Sequence, residues 1–570
     1  MNIKRTLIKY SKVSQPIMFG LTMIALVLPN LIMFFTEHTS IWVRLCQATL
    51  PVGLFWALLT LTRKPGKAFW WLFLYVFFAA FQLVLLYLFG CCPIAVDMFL
   101  NLVTTNVTEA NEMLGGLLLA VIPIVVYYLS CMMFAYRSAR RDQKLSDHFI
   151  SLQRKLAAAV TTAGVALLIA ACVMDRNFRL TDDIYPVNVT YNMISAVNRT
   201  MLTSKYQQLS ADFRWEASST RPDTLREVYV LVIGETTRAD HLGICGYKRN
   251  TTPLLSKEEG LTIFGNATSQ SNTTHKSVPM ILSAIDANNF NDIYYQKGII
   301  SAYKECGYAT AFLSNQLPNH SFIDFFGSEA DSVCFIKNDY PLGTNVMDGE
   351  LVDRALNMIR TSQSRKMFVV LHTYGAHFNY SERYDKECET FQPCQYMKSS
   401  AENKEALNNA YDNAMLYLDR CLARLIGGLK ALPADVTSAM LYVSDHGEDI
   451  YDDERELFMH ASPIPTFYQL RVPFMIWTSE SYATSFPGKV NAMKENMTKH
   501  VATNEVTCHT LLDLSGISTP LLDKTDAVSS PDFEVHPYRF LNDHNRADAI
   551  DAIGMDKEDL VLFSKVLPQL

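Results

Sequence analysis

The sequence predicts two architectures in one chain: an α-helical membrane domain of five transmembrane helices, then an α/β domain built on a mainly parallel sheet. Three observations predict them. Five long apolar stretches crowd the first 175 residues. From about residue 223, short β-forming runs alternate with helical patterns, and polar residues gather at the carboxyl ends of four of those runs. At 570 residues the chain is also too long for one ordinary core.

The apolar stretches cover roughly residues 15–36, 41–62, 68–90, 115–136 and 156–174, each long enough to cross a bilayer. The segment AFWWLFLYVFFAAFQLVLLYLFG carries no charge. No small-residue cleavage site follows the first stretch, so it reads as a retained anchor rather than a signal peptide. Lys4, Arg5, Lys9 and Lys12 precede the first span. Arg63, Lys64 and Lys67 follow the second, and Arg137, Arg140, Arg141, Lys144, Arg154 and Lys155 follow the fourth. By the positive-inside rule these segments are cytoplasmic, and everything after residue 175 lies outside. The net charge of −7 leaves no basic footprint, which excludes nucleic acid as the expected partner.

Residues 1–175 therefore form the membrane domain and residues 176–222 a link. Within the link Met193, Ile194, Val197 and Met201 share a helical face, which fits a helix lying in the membrane interface or a linker helix packed on the soluble domain. Cys388 and Cys394 bracket the short loop CETFQPC, and an oxidising compartment predicts a disulfide between them.

Residues 223–570 form the outer domain. The runs VYVLVIG, ATAFLS, MFVVLH, AMLYVS and VPFMIW are too short for helices and rich in β-formers. GETTRAD, SNQLPNH, HTYGAH and SDHGED follow four of them. The carboxyl edge of an open α/β sheet is where ligands bind, so these four clusters predict one site. Glu235, Asp445 and His446 are ligands that suit zinc. A hydroxyl bound to such an ion becomes a nucleophile near neutral pH, and NATSQSNTTHKSVPM, residues 266–280, supplies candidate hydroxyls.

The spans, together with IGETTRADHLGICGYKRNTTPLL, the TS…T…SVP loop, LHTYGAH, NNAYDNAMLYLD and YVSDHGED, resemble the membrane-anchored phosphoethanolamine transferases of Gram-negative bacteria. That family belongs to the alkaline phosphatase and sulfatase superfamily and modifies lipid A or the lipopolysaccharide core. The resemblance implies a sulfatase-like periplasmic domain anchored in the inner membrane. It implies a zinc ion held by Glu235, Thr274, Asp445 and His446, with Thr274 also the nucleophile and Thr273 the neighbouring alternative. It places His377 and His460 beside the phosphoryl group or a second metal and leaves His372 structural. Glu448 orients His446, helps a second metal or simply starts a helix. Asn315, Gln316 and His320 are weaker candidates for the head group, and Asn106 and Glu109 for lipid contacts.

The expected reaction has two steps. Thr274 takes phosphoethanolamine from phosphatidylethanolamine, and a lipopolysaccharide or other envelope acceptor then displaces it. Glu235, Asp445 and an alkoxide would bring about −3 against one Zn²⁺, so a positive group is needed: protonated His377 or His460, or a second zinc. The chain also departs from the family. Relatives often bracket the nucleophile with two cysteines, where Gln270 and Met280 stand here, and His275 replaces a small residue. Phosphoglycerol transferases of the lipoteichoic-acid-synthase type share the layout and form the runner-up. A true sulfatase needs a C/S-x-P-x-R motif, absent from the matching loop. A non-catalytic sensor predicts broken ligand motifs, whereas all four principal ligands are present. No span carries a convincing buried charge for an ion path, which argues against a transporter.

Overall fold

The computed structural model describes residues 14–567 apart from positions 38, 91, 105–106, 342 and 397–398; side chains at 88–89 and 101–120 also fall outside the description. The chain divides into two compact units, with a boundary between Arg199 and Thr200.

In the first unit, helices Gln15–Thr36, Ile41–Leu59, Val121–Ala139 and Asp147–Met174 are each long and apolar enough to cross a membrane. The remaining expected span is broken. Pro65–Trp71 and Phe73–Tyr87 meet at 72°, so among the described residues the count is four, or five if the bent pair is one span. Helices Ile41–Leu59 and Asp147–Met174 pack backbone to backbone because each offers a glycine. A Cβ on Gly53 would stand 2.6 Å from Thr161 Oγ1, and one on Gly164 would stand 2.6 Å from Leu50 Cα. Close approach of this kind replaces the hydrophobic drive that lipid cannot supply.

The expected linker helix spans Val187–Ser204. Tyr191, Ile194, Val197 and Met201 are exposed along it. Met193, expected on that same face, instead packs against the core of the first unit. One residue is about 100° of helical rotation, enough to move it off the stripe.

The second unit is organised by a seven-stranded sheet. In chain order its strands are β1 Arg226–Gly234, β2 Leu261–Ile263, β3 Ala309–Ser314, β4 Ser332–Phe335, β5 Lys366–His372, β6 Val436–Ser444 and β7 Phe474–Thr478. They lie in the order β2-β7-β6-β1-β5-β3-β4. β6, β1, β5, β3 and β4 run parallel, while β7 is antiparallel to both β6 and β2.

Alternation along β1 explains the layering. Tyr229, Leu231 and Ile233 face one core, and Val228, Val230 and Val232 face the other. A strand buried on both faces reads as a continuous apolar run, which is why VYVLVIG was legible. Val278, Ile281 and Leu511, from helices Thr274–Ile281 and Thr503–Ser515, belong to the first core. Leu351, Leu407 and Leu422, from helices Asp348–Thr361 and Lys404–Lys430, belong to the second.

Cys388 and Cys394 are both free thiols, against the expected bridge. Cys394 Sγ donates to Glu389 Oε1 at 3.1 Å, and Cys388 and Cys394 are both buried in the second core. Spacing permitted a bridge, but packing gives each sulfur its own environment.

Candidate active site

Glu235 directly follows β1, and Asp445 and His446 directly follow the parallel neighbour β6. Thr274 opens helix Thr274–Ile281. Pairing of β1 with β6 puts the two strand ends side by side, with Gly234 opposite Ser444. Thr236 N then donates to Asp445 Oδ1 at 3.2 Å.

Four side chains converge. Thr274 Oγ1 is 3.3 Å from both oxygens of Glu235 and 3.0 Å from His446 Nε2. His446 Nε2 is 3.4 Å from Glu235 Oε1 and 3.3 Å from Asp445 Oδ2. His446 Nδ1 donates to the Gly447 carbonyl at 2.9 Å, because a carbonyl only accepts. Nε2 of the neutral ring therefore carries a lone pair aimed into the cluster.

Glu235, Asp445 and His446 are buried, and Asp445 Oδ2 has no hydrogen-bond partner. Burial, then the Asp445 carboxylate beside it, pushes Glu235 well above the usual carboxylate range. Burial also raises Asp445. Crowded anionic oxygens, an orphaned oxygen and an imidazole lone pair fit a cation. Donors about 2.0–2.1 Å from a tetrahedral zinc are about 3.3 Å apart, which matches the spacing of this set.

Thr273 is not part of it. Its hydroxyl lies 3.1 Å from Ser271 Oγ. Hydrogen bonds hold the loop that leads into helix Thr274–Ile281, around Gln270. Ser269 Oγ and Ser277 Oγ each donate to Asp445 O at 2.6 Å. Asn504 accepts from Gln270 N at 2.6 Å and donates to Ser277 Oγ at 2.8 Å, and Gln270 Oε1 accepts from Ala287 N at 3.2 Å.

His460 stands over His446 with ring centroids 4.1 Å apart, and its Nδ1 is 3.4 Å from Glu448 Oε2. Glu448 is buried with its Oε2 toward His460, while His446 Nδ1 is taken by the Gly447 carbonyl. Glu235, His446 and His460 offer atoms within 4.8 Å of one another, close enough to share an ion. His377 lies 6.5 Å from His460, ring to ring. Burial first, then the Arg383 charge, pushes its pKa down to about 3. Burial thus favours the neutral form of His377, which leaves His460 or a second metal as the other positive groups expected here.

Of the weaker candidates with described side chains, Gln316 alone reaches the cluster, donating to Glu235 Oε2 at 3.1 Å. Its neighbour Asn315 turns away and donates to Val346 O and Asp348 Oδ1, both at 2.8 Å. The His320 side chain is exposed, and its backbone N–H donates to Asp324 Oδ2. His372 is buried at the end of β5, 3.2 Å from Ser314 Oγ, with burial lowering its pKa to about 4, as befits a structural residue. Asn106 lies outside the described residues, and Glu109 falls in helix Val107–Ala139 with its side chain undescribed.

Sequence reasoning missed Asp348 and Arg383. Asp348 accepts from Tyr374 N at 2.9 Å and Gly375 N at 2.8 Å, fixing the loop after β5. Arg383 Nε donates to His377 O at 2.7 Å. In the sequence Asp348 is indistinguishable from an ordinary acid in a helix's first turn, and Arg383 lies beyond the HTYGAH cluster.

A family model described as sulfatase matches residues 227–517. The chain belongs to the sulfatase family. This sulfatase-family chain is 28% identical over 334 residues to phosphoethanolamine transferase EptC of Escherichia coli O18:K1:H7, covering 57% of the chain and 56% of EptC. It is 31% identical to phosphatidylethanolamine transferase Mcr-1 of Escherichia coli, covering 46% of the chain and 50% of Mcr-1. It is likewise 31% identical to Kdo(2)-lipid A phosphoethanolamine 7''-transferase of Salmonella typhimurium, covering 45% of each. The chain thus spans about half the length of the relatives it matches. Among solved structures, the zinc complex of the periplasmic domain of Escherichia coli EptC matches at 25% identity and a TM-score of 0.53, covering 60% of the chain and 98% of that domain. Lipooligosaccharide phosphoethanolamine transferase A from Neisseria meningitidis, an integral membrane protein, matches at 20% identity and a TM-score of 0.65, covering 88% of the chain and 97% of that protein. That likeness extends the shared fold beyond the sheet domain.

Proposed function

We propose that this sulfatase-family chain is a zinc-dependent phosphoethanolamine transferase. Its donor is phosphatidylethanolamine, and its acceptor is a cell-envelope molecule of the lipid A or lipopolysaccharide type. The observation that carries the reading is the position of Thr274: a hydroxyl at a helix start, 3.0 Å from His446 Nε2 and 3.3 Å from both Glu235 oxygens. Support also comes from relatives named as phosphoethanolamine transferases and from the zinc complex of the EptC domain.

Glu235, Thr274, Asp445 and His446 would hold one zinc, which when bound would lower the pKa of the threonine hydroxyl and polarise a phosphoryl oxygen. Thr274 Oγ1 forms a bond to the phosphorus of the donor as the bond to the diacylglycerol oxygen breaks. Diacylglycerol leaves with a proton, and phosphoethanolamine remains on the threonine. An acceptor hydroxyl then attacks the same phosphorus, and Thr274 Oγ1 leaves with the proton that the acceptor gives up. Gln316 holds Glu235, and Glu448 holds His460. His377 and His460 face the transferred group.

A lipid donor gives the apolar helices a purpose, since a phosphatase for soluble esters needs none. The chain is an inner-membrane protein with its N-terminal segment in the cytoplasm and its sheet domain in the periplasm. The test is the mass of the peptide carrying Thr273 and Thr274, from full-length protein incubated with zinc and phosphatidylethanolamine. A phosphoethanolamine adduct on Thr274 is expected. A phosphoglycerol adduct would point to a different donor, and an unmodified peptide would remove the covalent mechanism.

A further inference from the structure

His377 is surrounded by an arrangement that no catalytic ligand requires. Its ring stacks on Tyr374, with centroids 5.0 Å apart and planes at 16°. Lys337 Nζ stands 3.3 Å from the Tyr374 ring centroid, and the Arg383 guanidinium carbon stands 4.3 Å from it. The same guanidinium donates through Nε to His377 O at 2.7 Å and through Nη2 to Phe378 O at 3.2 Å. His377 Nδ1 is 2.7 Å from that Phe378 carbonyl.

We propose that Arg383 is a positioning residue for phosphoryl transfer, fixing both the plane and the tautomer of His377. The proposal rests on the reading of His377 as a group facing the transferred phosphoethanolamine. A carbonyl only accepts, so His377 Nδ1 carries the proton and Nε2 of the neutral ring is an acceptor. Arg383 holds the Phe378 carbonyl that dictates this choice and presses on the aromatic plate that sets the ring plane. One planar cation thus controls both degrees of freedom. Its fork does so because two donors and a flat face act together, which a lysine ammonium cannot reproduce. Lys337 braces Tyr374 by a cation–π contact. Asp348 braces it through its backbone, accepting from Tyr374 N at 2.9 Å.

An acceptor Nε2 suits a partner that brings a proton: the ammonium of the ethanolamine head group, or the hydroxyl of the second substrate as it attacks. Wrong placement of Nε2 would therefore reduce turnover more than donor binding.

The test is kinetic, on full-length protein in phosphatidylethanolamine-containing micelles with zinc. Arg383→Lys and Tyr374→Leu are each made alone and with His377→Gln, and thermal melting and zinc content are measured for every variant. Each single change is expected to lower kcat by about 10–100-fold, the range typical of residues that orient a site's ligands, with zinc content retained. In the His377→Gln background each should change kcat by less than about 2-fold, the limit for a residue whose whole effect passes through its neighbour. Equal losses in both backgrounds would overturn the proposal, and so would wild-type turnover of Arg383→Lys. If Arg383→Lys does not fold, Tyr374→Leu makes the same comparison. Wild-type turnover of His377→Gln alone would instead show that His377 has no part in the reaction and would remove the proposal's premise, while Thr274 adduct formation reports independently on the transferase reading.

Discussion

Thr274 Oγ1 lies 3.0 Å from His446 Nε2, and His446 is turned so that this nitrogen has no proton of its own. The neighbouring Thr273 hydroxyl is instead 3.1 Å from Ser271 Oγ. Two adjacent threonines therefore have different prospects. Thr274→Ala is expected to lower transfer by at least about 10³-fold, as removal of a nucleophile does. Thr273→Ala should cost less than about 10-fold, the effect of losing one neutral hydrogen bond. Comparable losses in the two variants would mean that the hydroxyl facing His446 is not the one that reacts.

Metal removal should leave a pH signature. Burial and Asp445 raise the Glu235 pKa, so the folded metal-free chain keeps a proton that the unfolded chain releases. A carboxyl group with a raised folded pKa favours folding at low pH, and that contribution is lost as pH rises. Chelator-treated protein should therefore melt progressively lower as pH rises above the ordinary glutamate value of 4.5. Each lost kcal/mol is worth roughly 2–4 °C in a domain of this size class. Glu235→Gln should flatten the slope, and zinc should restore the wild-type melting point but not that of the variant. A metal-free slope identical in wild type and variant would mean that Glu235 does not carry the strain.

His500 makes an opposite prediction, away from the site. It is buried, 2.9 Å from Thr268 Oγ1, and burial holds its pKa near 3 against an ordinary 6.5. As pH falls from 6.5 the unfolded chain binds a proton that the folded chain refuses. Stability is therefore full above 6.5 and drops by about 2 kcal/mol by pH 5. Melting of wild type and His500→Gln, compared at pH 7 and pH 5, isolates this group, because other titrating residues are common to both. The wild type should lose more stability on acidification; parallel losses would place His500 in contact with solvent in the folded chain.

Glu235, Asp445 and His446 were legible because each sits just past a strand whose apolar run marks it, and a parallel sheet brings its carboxyl ends together. The broken span was not, since apolar content sums over a window and says nothing of the backbone at Leu72, where Trp71 and Phe73 part by 72°. Strands Leu261–Ile263 and Ser332–Phe335 are too short to show a period. Gln316 and Asn315 are neighbours of similar chemistry, yet one holds Glu235 and the other holds Asp348. Only the course of the loop distinguishes them. Cys388 and Cys394 had the spacing of a bridge, but their pairing depended on side-chain directions that spacing does not contain.

That last point is directly measurable. Full-length protein denatured without reductant and treated with an alkylating reagent should yield the peptide that contains both Cys388 and Cys394 carrying two labels, because both are free thiols. A peptide 2 Da lighter than the reduced mass and unlabelled would establish the bridge between them.

Gly375 supplies the sharpest test of how the ligand end of β1 is built. It sits at φ +52°, and a Cβ there would fall 2.5 Å from Glu235 O and 3.0 Å from Glu235 Cβ. The first neighbour is backbone and cannot swing aside. It is also held, since Glu235 O accepts from Ala376 N at 3.1 Å, while Gly375 N donates to Asp348 Oδ2 at 2.8 Å. Gly375→Ala therefore adds a left-handed alanine, costing about 1 kcal/mol, to a clash that must be relieved by moving Glu235. The core β-sheet lies beneath this loop, so the damage should concentrate on the metal. Zinc affinity measured by competition with a chelating dye is expected to fall about 10–100-fold, as it does when the support of a ligand is lost. Melting of the zinc-free protein should change far less than melting of the zinc-loaded protein. Wild-type zinc affinity in Gly375→Ala would mean that Glu235 keeps its place without the close approach of the loop after β5, and that the two strand ends position their ligands independently.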